Sequence, residues 1–201
     1  MKRNHLILAI SFAIILICGG ISISYFTSQD SQDNVMTVGD VDITLTEEPW
    51  NPEEEHIITA GAVWEKEPVI TNTGDNAAYV RIHLKINNIS LIEGAAKGQD
   101  AGLPASLLDG TLNTTDWQQV GDPKEEGDAR IYTFCYNDPV DPNASTNPLF
   151  ERVKFDNNKF VVAQIIDGLN CTFDISVSAD AIQAQGFDNV QDAFTAFDNQ
   201  Q

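Results

Sequence analysis

The chain has 201 residues, with 11 Lys and Arg against 30 Asp and Glu, a formal net charge of -19. A field of that sign repels nucleic acid and anionic membrane surfaces, so neither is expected as a partner. The length suits one domain with a sizeable core, since chains of about 150 residues bury roughly 70% of their unfolded surface.

At the N-terminus, Lys2 and Arg3 precede an apolar run of 13 residues from Leu6 to Cys18, broken by Gly19 and Gly20. This is the pattern of a secretory signal, and the run falls short of the roughly 20 apolar residues that span a bilayer. Ser22 and Ser24 place small side chains at the minus-three and minus-one positions, so cleavage is expected before Tyr25, with residues 1–24 removed. Membrane contact is then expected only through the uncleaved segment. Ile17 before Cys18 argues against lipidation, which calls for a small residue there. Loss of Lys2 and Arg3 takes the net charge from -19 to -21.

Residues 25–39 read as a flexible N-terminal arm, polar from Tyr25 to Asn34 and strand-forming at Val35, Met36, Thr37 and Val38. A β-domain is expected over 40–201. Val41, Ile43 and Leu45 alternate with polar residues, which predicts a strand with one buried face. Glu47 to Glu55, holding Pro49 and Pro52, reads as a loop. Ala62 to Thr71 reads as extended and ends in the turn Asn72, Thr73, Gly74, Asp75. The clearest strand carries Val80, Ile82, Leu84 and Ile86 on one face and Arg81, His83 and Lys85 on the other.

A short helix is expected near Pro104 to Leu108. Ile131 to Tyr136 reads as a strand with Tyr132, Phe134 and Tyr136 on one face, and Asn137 to Pro148 as loop. Leu149 to Phe155, Phe160 to Ile166 and Cys171 to Ala179 are three further strand candidates. Val190, Ala193, Phe194 and Phe197 recur at helical spacing behind Asp188 as the expected cap. Short strands parted by turns, with one or two short helices, predict an all-β sandwich of jelly-roll or Ig-like type. Cys135 and Cys171 are a candidate disulfide, closing a loop of about 36 residues worth roughly 4 kcal/mol in the chain-entropy model, or else two buried thiols.

The apolar run closing in Gly19-Gly20 is followed, after Ile21 to Ser24, in order by YFTSQDSQDNVMTVGDVDITL, AGAVWEKEPVITNTGDNAAYVRIHLKI, TNPLFERVKF and ISVSADAIQAQGFDNVQDAF. That order resembles the TasA and camelysin family of Gram-positive bacteria. The resemblance covers the signal and most of the following chain, with residues 88–128 the least similar. It implies a jelly-roll sandwich processed by a SipW-type signal peptidase, exported to the cell surface or matrix, and assembling with itself or a related matrix subunit into biofilm fibres. It also implies a rival activity, since the camelysin branch is described as a casein-cleaving metallopeptidase.

The residues speak against catalysis. A zinc peptidase needs about three protein ligands and a general base, commonly as HExxH. Here no HExxH exists, and beyond the signal the histidines are His56, in a glutamate-rich loop, and His83, on the polar face of a strand. No GxSxG elbow or P-loop is present. Asn137, Asp138, Asp141 and Asn143 are hard-oxygen candidates for calcium, but their spacing is not an EF-hand and an Asx-rich turn explains the same residues. Arg81 is expected to pair with a carboxylate across the sheet, worth about 0.2 to 1 kcal/mol. Trp50, Trp64 and Trp117 are expected in core or rim packing. No cofactor is expected. The function expected is a secreted, non-catalytic structural protein; the alternatives are a camelysin-like surface metallopeptidase and a monomeric adhesin or ligand-binding module.

Overall fold

The computed structural model describes residues 27–31, 34–37, 41–51, 58–97, 103–169 and 174–200. The longest strand in it, β6 (Ala78–Asn87), forms where Val80, Ile82, Leu84 and Ile86 alternate with polar residues. All four apolar side chains are fully buried. Each such burial is worth about 1.5 to 3 kcal/mol, so a register slip of one residue would forfeit all of them together.

Flanking β6 are β9 (Ala129–Tyr136) and β11 (Ile175–Gln183), both antiparallel to it. Beyond β11 lie β1 (Thr27–Ser31) and then β2 (Asn34–Thr37), giving the strand order β2-β1-β11-β6-β9-β7, where β7 is Trp117–Gln119. Strand β8 (Lys124–Glu126) also pairs with β9. Two ribbons share the core with the inner side of this sheet: β3 (Ile43–Thr46) with β5 (Val69–Asn72), and β4 (Val63–Glu65) with β10 (Arg152–Lys154). The molecule is therefore mostly β and sandwich-like, with short helices, as the period-two patterning predicts.

The main core lies between the sheet and the ribbons. Ile82, Leu84, Phe134 and Val177 of the sheet join Ile43, Ile70, Val153 and Phe155 of the ribbon side in one cluster. Helices α1 (Ile89–Gly94) and α2 (Val162–Leu169) add Ile92, Val162 and Ile165. The opposite face of the sheet is covered by α3 (Val190–Asp198), whose Val190, Ala193, Phe194 and Phe197 pack on Tyr79, Cys135 and Ile182.

Several expectations change. Phe160 to Ile166 is not a strand: α2 buries Val162, Ile165 and Leu169 at helical spacing, and the β-branched run masked that period. Ala62 to Thr71 holds two strands, separated at 66–68, where Pro68 has no N–H to give a ladder and the chain passes from pairing with Arg152–Lys154 to pairing with Ile43–Thr46. Leu149 to Phe155 pairs only over Arg152–Lys154. Pro104 to Leu108 forms hydrogen-bonded turns, with Leu107 and Leu108 each donating to the Pro104 carbonyl. The cap of α3 is Asn189, whose side chain accepts from the Asp192 N–H at 2.9 Å, not Asp188.

The turn after β5 is built as expected. Buried Asn72 donates its amide to the carbonyls of Asn76 and Val140, and its side-chain oxygen accepts from Gly74 N–H. Among the described residues no helix is long and apolar enough to cross a membrane.

Candidate functional site

The segment read as a loose arm is strand-paired in its own chain where the structure describes it. Thr27 to Ser31 pair antiparallel with Ile182 to Ser178, and Asn34 to Thr37 turn back along Ser31 to Ser28. Val35, Met36 and Thr37 thus stand in the terminal strand of the main sheet, while Val38 lies outside the described residues, as do Ser22, Ser24 and Tyr25. Among the described residues, the ends of this sheet, β2 on one side and β7 with β8 on the other, are the surfaces available for a further strand.

On the sheet face beside α3, strand register assembles a buried ion cluster. Arg81 stands opposite Asp180 on one side and Cys135 on the other. Its Nε donates to Asp180 Oδ2 at 2.7 Å, and its two terminal nitrogens donate to Asp198 Oδ2 at 3.1 Å and Oδ1 at 2.7 Å. The guanidinium also lies over the rings of Phe194 and Phe197, 4.5 and 4.9 Å from their centroids. One arginine therefore ties the middle of β11 to the last turn of α3. The cross-strand partner is as expected, but the weight is not. Arg81 is 8% exposed and Asp180 4%, so this is a desolvated pair rather than a surface bridge.

His83 extends the cluster: Nε2 lies 3.0 Å from Asp180 Oδ2 and Nδ1 3.0 Å from Thr133 Oγ1. An ionised carboxylate only accepts, so Nε2 is the donor and the remaining ring nitrogen faces the Thr133 hydroxyl. Burial alone would push the Asp180 carboxyl up, but the bond from His83 and the charge of Arg81 outweigh it and hold the group below the ordinary aspartate value. Hydroxyl, imidazole and carboxylate here share the connectivity of a hydrolase triad. Around it the β6, β9 and β11 backbones are paired in the ladders, and Asp180 also accepts from Arg81 Nε. Among the described residues these bonds fasten β6 to β9 and to β11.

Among the described residues Cys135 is a free thiol, buried in the cluster under α3, and burial pushes it up to about 12. Its candidate partner Cys171 lies outside the described residues. His56 does as well. Among the described residues no group of three or more His, Cys, Asp or Glu side chains is placed to hold a metal ion. In the calcium candidate loop, Asn137 spends its amide on the Thr115 carbonyl, Asp138 and Asp141 are exposed, and Asn143 takes a left-handed turn at φ 62°.

Sequence reasoning missed a second buried pair. Glu47 at the end of β3 and Lys66 after β4 meet at 2.6 Å, with side chains 3% and 2% exposed, and Trp50 lies 4.6 Å from the ammonium. Burial pushes the Glu47 carboxyl up and the Lys66 amine down, against their mutual attraction. The signal for this pair was weak, because Glu47 begins an acid-rich loop and Lys66 sits in an alternating charged stretch. Trp117 is buried, with its indole N–H donating to the Asn147 carbonyl at 3.0 Å, and Trp64 packs edge-on against Phe155.

No protein-family model, curated protein or solved structure matches this chain.

Proposed function

We propose that the protein is a secreted, non-catalytic structural component of the cell surface or biofilm matrix, forming fibres by addition of its N-terminal strand to a neighbour's sheet. The observation that carries this reading is the place of β1 and β2: among the described residues the N-terminal hairpin forms the end of the main sheet and is hydrogen-bonded into it through β11. A terminal strand at a chain end can serve a second molecule through backbone hydrogen bonds, with side chains setting register. The export signal and the resemblance to TasA-like chains agree with it, and a SipW-type peptidase would release the segment from the membrane. Self-association or a related matrix subunit supplies the partner.

Electron microscopy of concentrated secreted protein, with and without residues 25–39, tests the reading. The full chain is expected to form filaments, and the version starting at Asp40 is expected to fold yet remain dispersed. A truncated protein that folds and still forms the same filaments would remove the N-terminal strand from the mechanism.

A further inference from the structure

The main sheet has two unlike ends. We infer that they are complementary: β2 of one copy docks along β7 of the next, so that the sheet runs on through the filament. This rests on the self-assembly reading above and names the acceptor surface for it.

Strand count supplies the first argument. Every step along β2-β1-β11-β6-β9-β7 is antiparallel. Six alternating strands leave β2 and β7 running in opposite directions. A second copy, turned about the filament axis to follow the twist of the sheet, therefore presents its β2 antiparallel to β7, and alternation passes from one molecule to the next without a break. Because the two ends differ, the contact is head-to-tail and extends into an open filament rather than closing a dimer.

Backbone chemistry supplies the second. Asn137 N–H donates to the Asp116 carbonyl and Val120 N–H to the Thr133 carbonyl, which places the β9-facing groups at positions 116, 118 and 120. The N–H and C=O of Gln119 and the C=O of Trp117 point the other way, off the end of the sheet. Among the described residues no backbone partner meets them.

Composition supplies the third. Sheet edges are normally guarded by charges, proline or bulges. The β8 half of this edge is guarded: Lys124, Glu125 and Glu126 are all charged and exposed, and Pro123 precedes them. The β7 half, Trp117, Gln118 and Gln119, carries no charge and leads into Val120, which is 37% exposed. Strand β2, Asn-Val-Met-Thr, carries none either. In a chain of net charge -19, two uncharged strand edges are where copies approach with least repulsion. Beside β7 lies an open cleft of about 340 Å³, lined in part by Leu112, Thr114, Trp117 and Gln119, with room for side chains of an added strand.

Six strands spaced about 4.8 Å apart set an axial repeat near 29 Å per molecule, with strands crossing the filament axis. The test uses the secreted full chain, Gln119→Pro, which removes the outward N–H, and Val120→Glu, which guards the edge. Both variants are expected to keep the wild-type circular dichroism and melting, while the critical concentration for filaments rises at least about tenfold. Should Gln119→Pro fail to fold, Val120→Glu decides. Folded variants that polymerise like wild type would remove β7 as the acceptor while leaving the self-assembly reading intact. Wild-type filaments with a repeat far from 29 Å would do the same. A wild-type protein that stays monomeric at every concentration overturns both.

Discussion

Arg81 is the residue on which the outer face of the sheet turns. It sits between Asp180 and Asp198, over two phenylalanine rings. Removing one partner of a buried pair leaves the other uncompensated, so Arg81→Ala is expected to destabilise by about 3 to 5 kcal/mol in urea unfolding. Asp198 is 58% exposed on its side chain, and Asp198→Asn is expected to cost about 1 kcal/mol or less. A smaller loss for Arg81→Ala than for Asp198→Asn would contradict this weighting. Asp180 has a sign of its own. Its folded carboxyl is held below the ordinary aspartate value, so the stability it contributes is fully present above that value and disappears as pH falls through the folded one. Wild type is therefore expected to lose its advantage over Asp180→Asn progressively below about pH 4, measured by the difference in melting temperature. Glu47 and Lys66 behave otherwise, because burial works against both charges. Lys66→Met alone is expected to cost about 3 to 5 kcal/mol, and Glu47→Leu with Lys66→Met together to be neutral or stabilising. A double variant as unstable as the single one would show that the pair contributes more than its desolvation costs.

At the scale of elements, α3 is fastened at both ends by polar groups and along its length by aromatic ones. Asn189 starts it, Asp198 near its end meets Arg81, and Phe194 and Phe197 lie between. Asn189→Ala removes the side-chain acceptor for Asp192 N–H and is expected to cost about 1 kcal/mol, whereas Asp188→Ala should stay within about 0.5 kcal/mol. Equal losses at the two positions would return the cap to Asp188. Helix α2 shows where reading by period fails. Phe160 to Ile166 is rich in β-branched residues and fits a buried strand by composition, and what decides for helix is the placement of Val162, Ile165 and Leu169 against the core. Strands β7 and β8, three residues each, carry almost no apolar alternation, so only their pairing with β9 makes them strands.

For the whole molecule, charge opposes self-association. At -19 for the whole chain, or -21 without Lys2 and Arg3, copies repel one another over distances set by the Debye length, about 30 Å at 0.01 M salt and 8 Å at 0.15 M. Under the proposed self-assembly, filament growth of the chain from Tyr25 onward, followed by light scattering, is therefore expected to be slower at 0.01 M than at 0.15 M sodium chloride. Growth that is fastest at the lowest salt would mean that complementary charges, rather than uncharged strand edges, hold the copies together.

What the sequence determined by itself was what depends on local pattern. The β class, the strand with Val80, Ile82, Leu84 and Ile86, the turn at Asn72 and the helix through Phe194 were all legible, because alternation and turn chemistry act between near neighbours. Tertiary structure decided what depends on register between distant strands. Arg81 meets Asp180 across 99 positions and Asp198 across 117, and Glu47 meets Lys66 at the ends of strands belonging to different ribbons. No periodicity in one segment encodes which residue of another will stand opposite it. Whether β2 and β7 end the sheet is likewise a property of strand order, and strand order exists only once every ladder has formed.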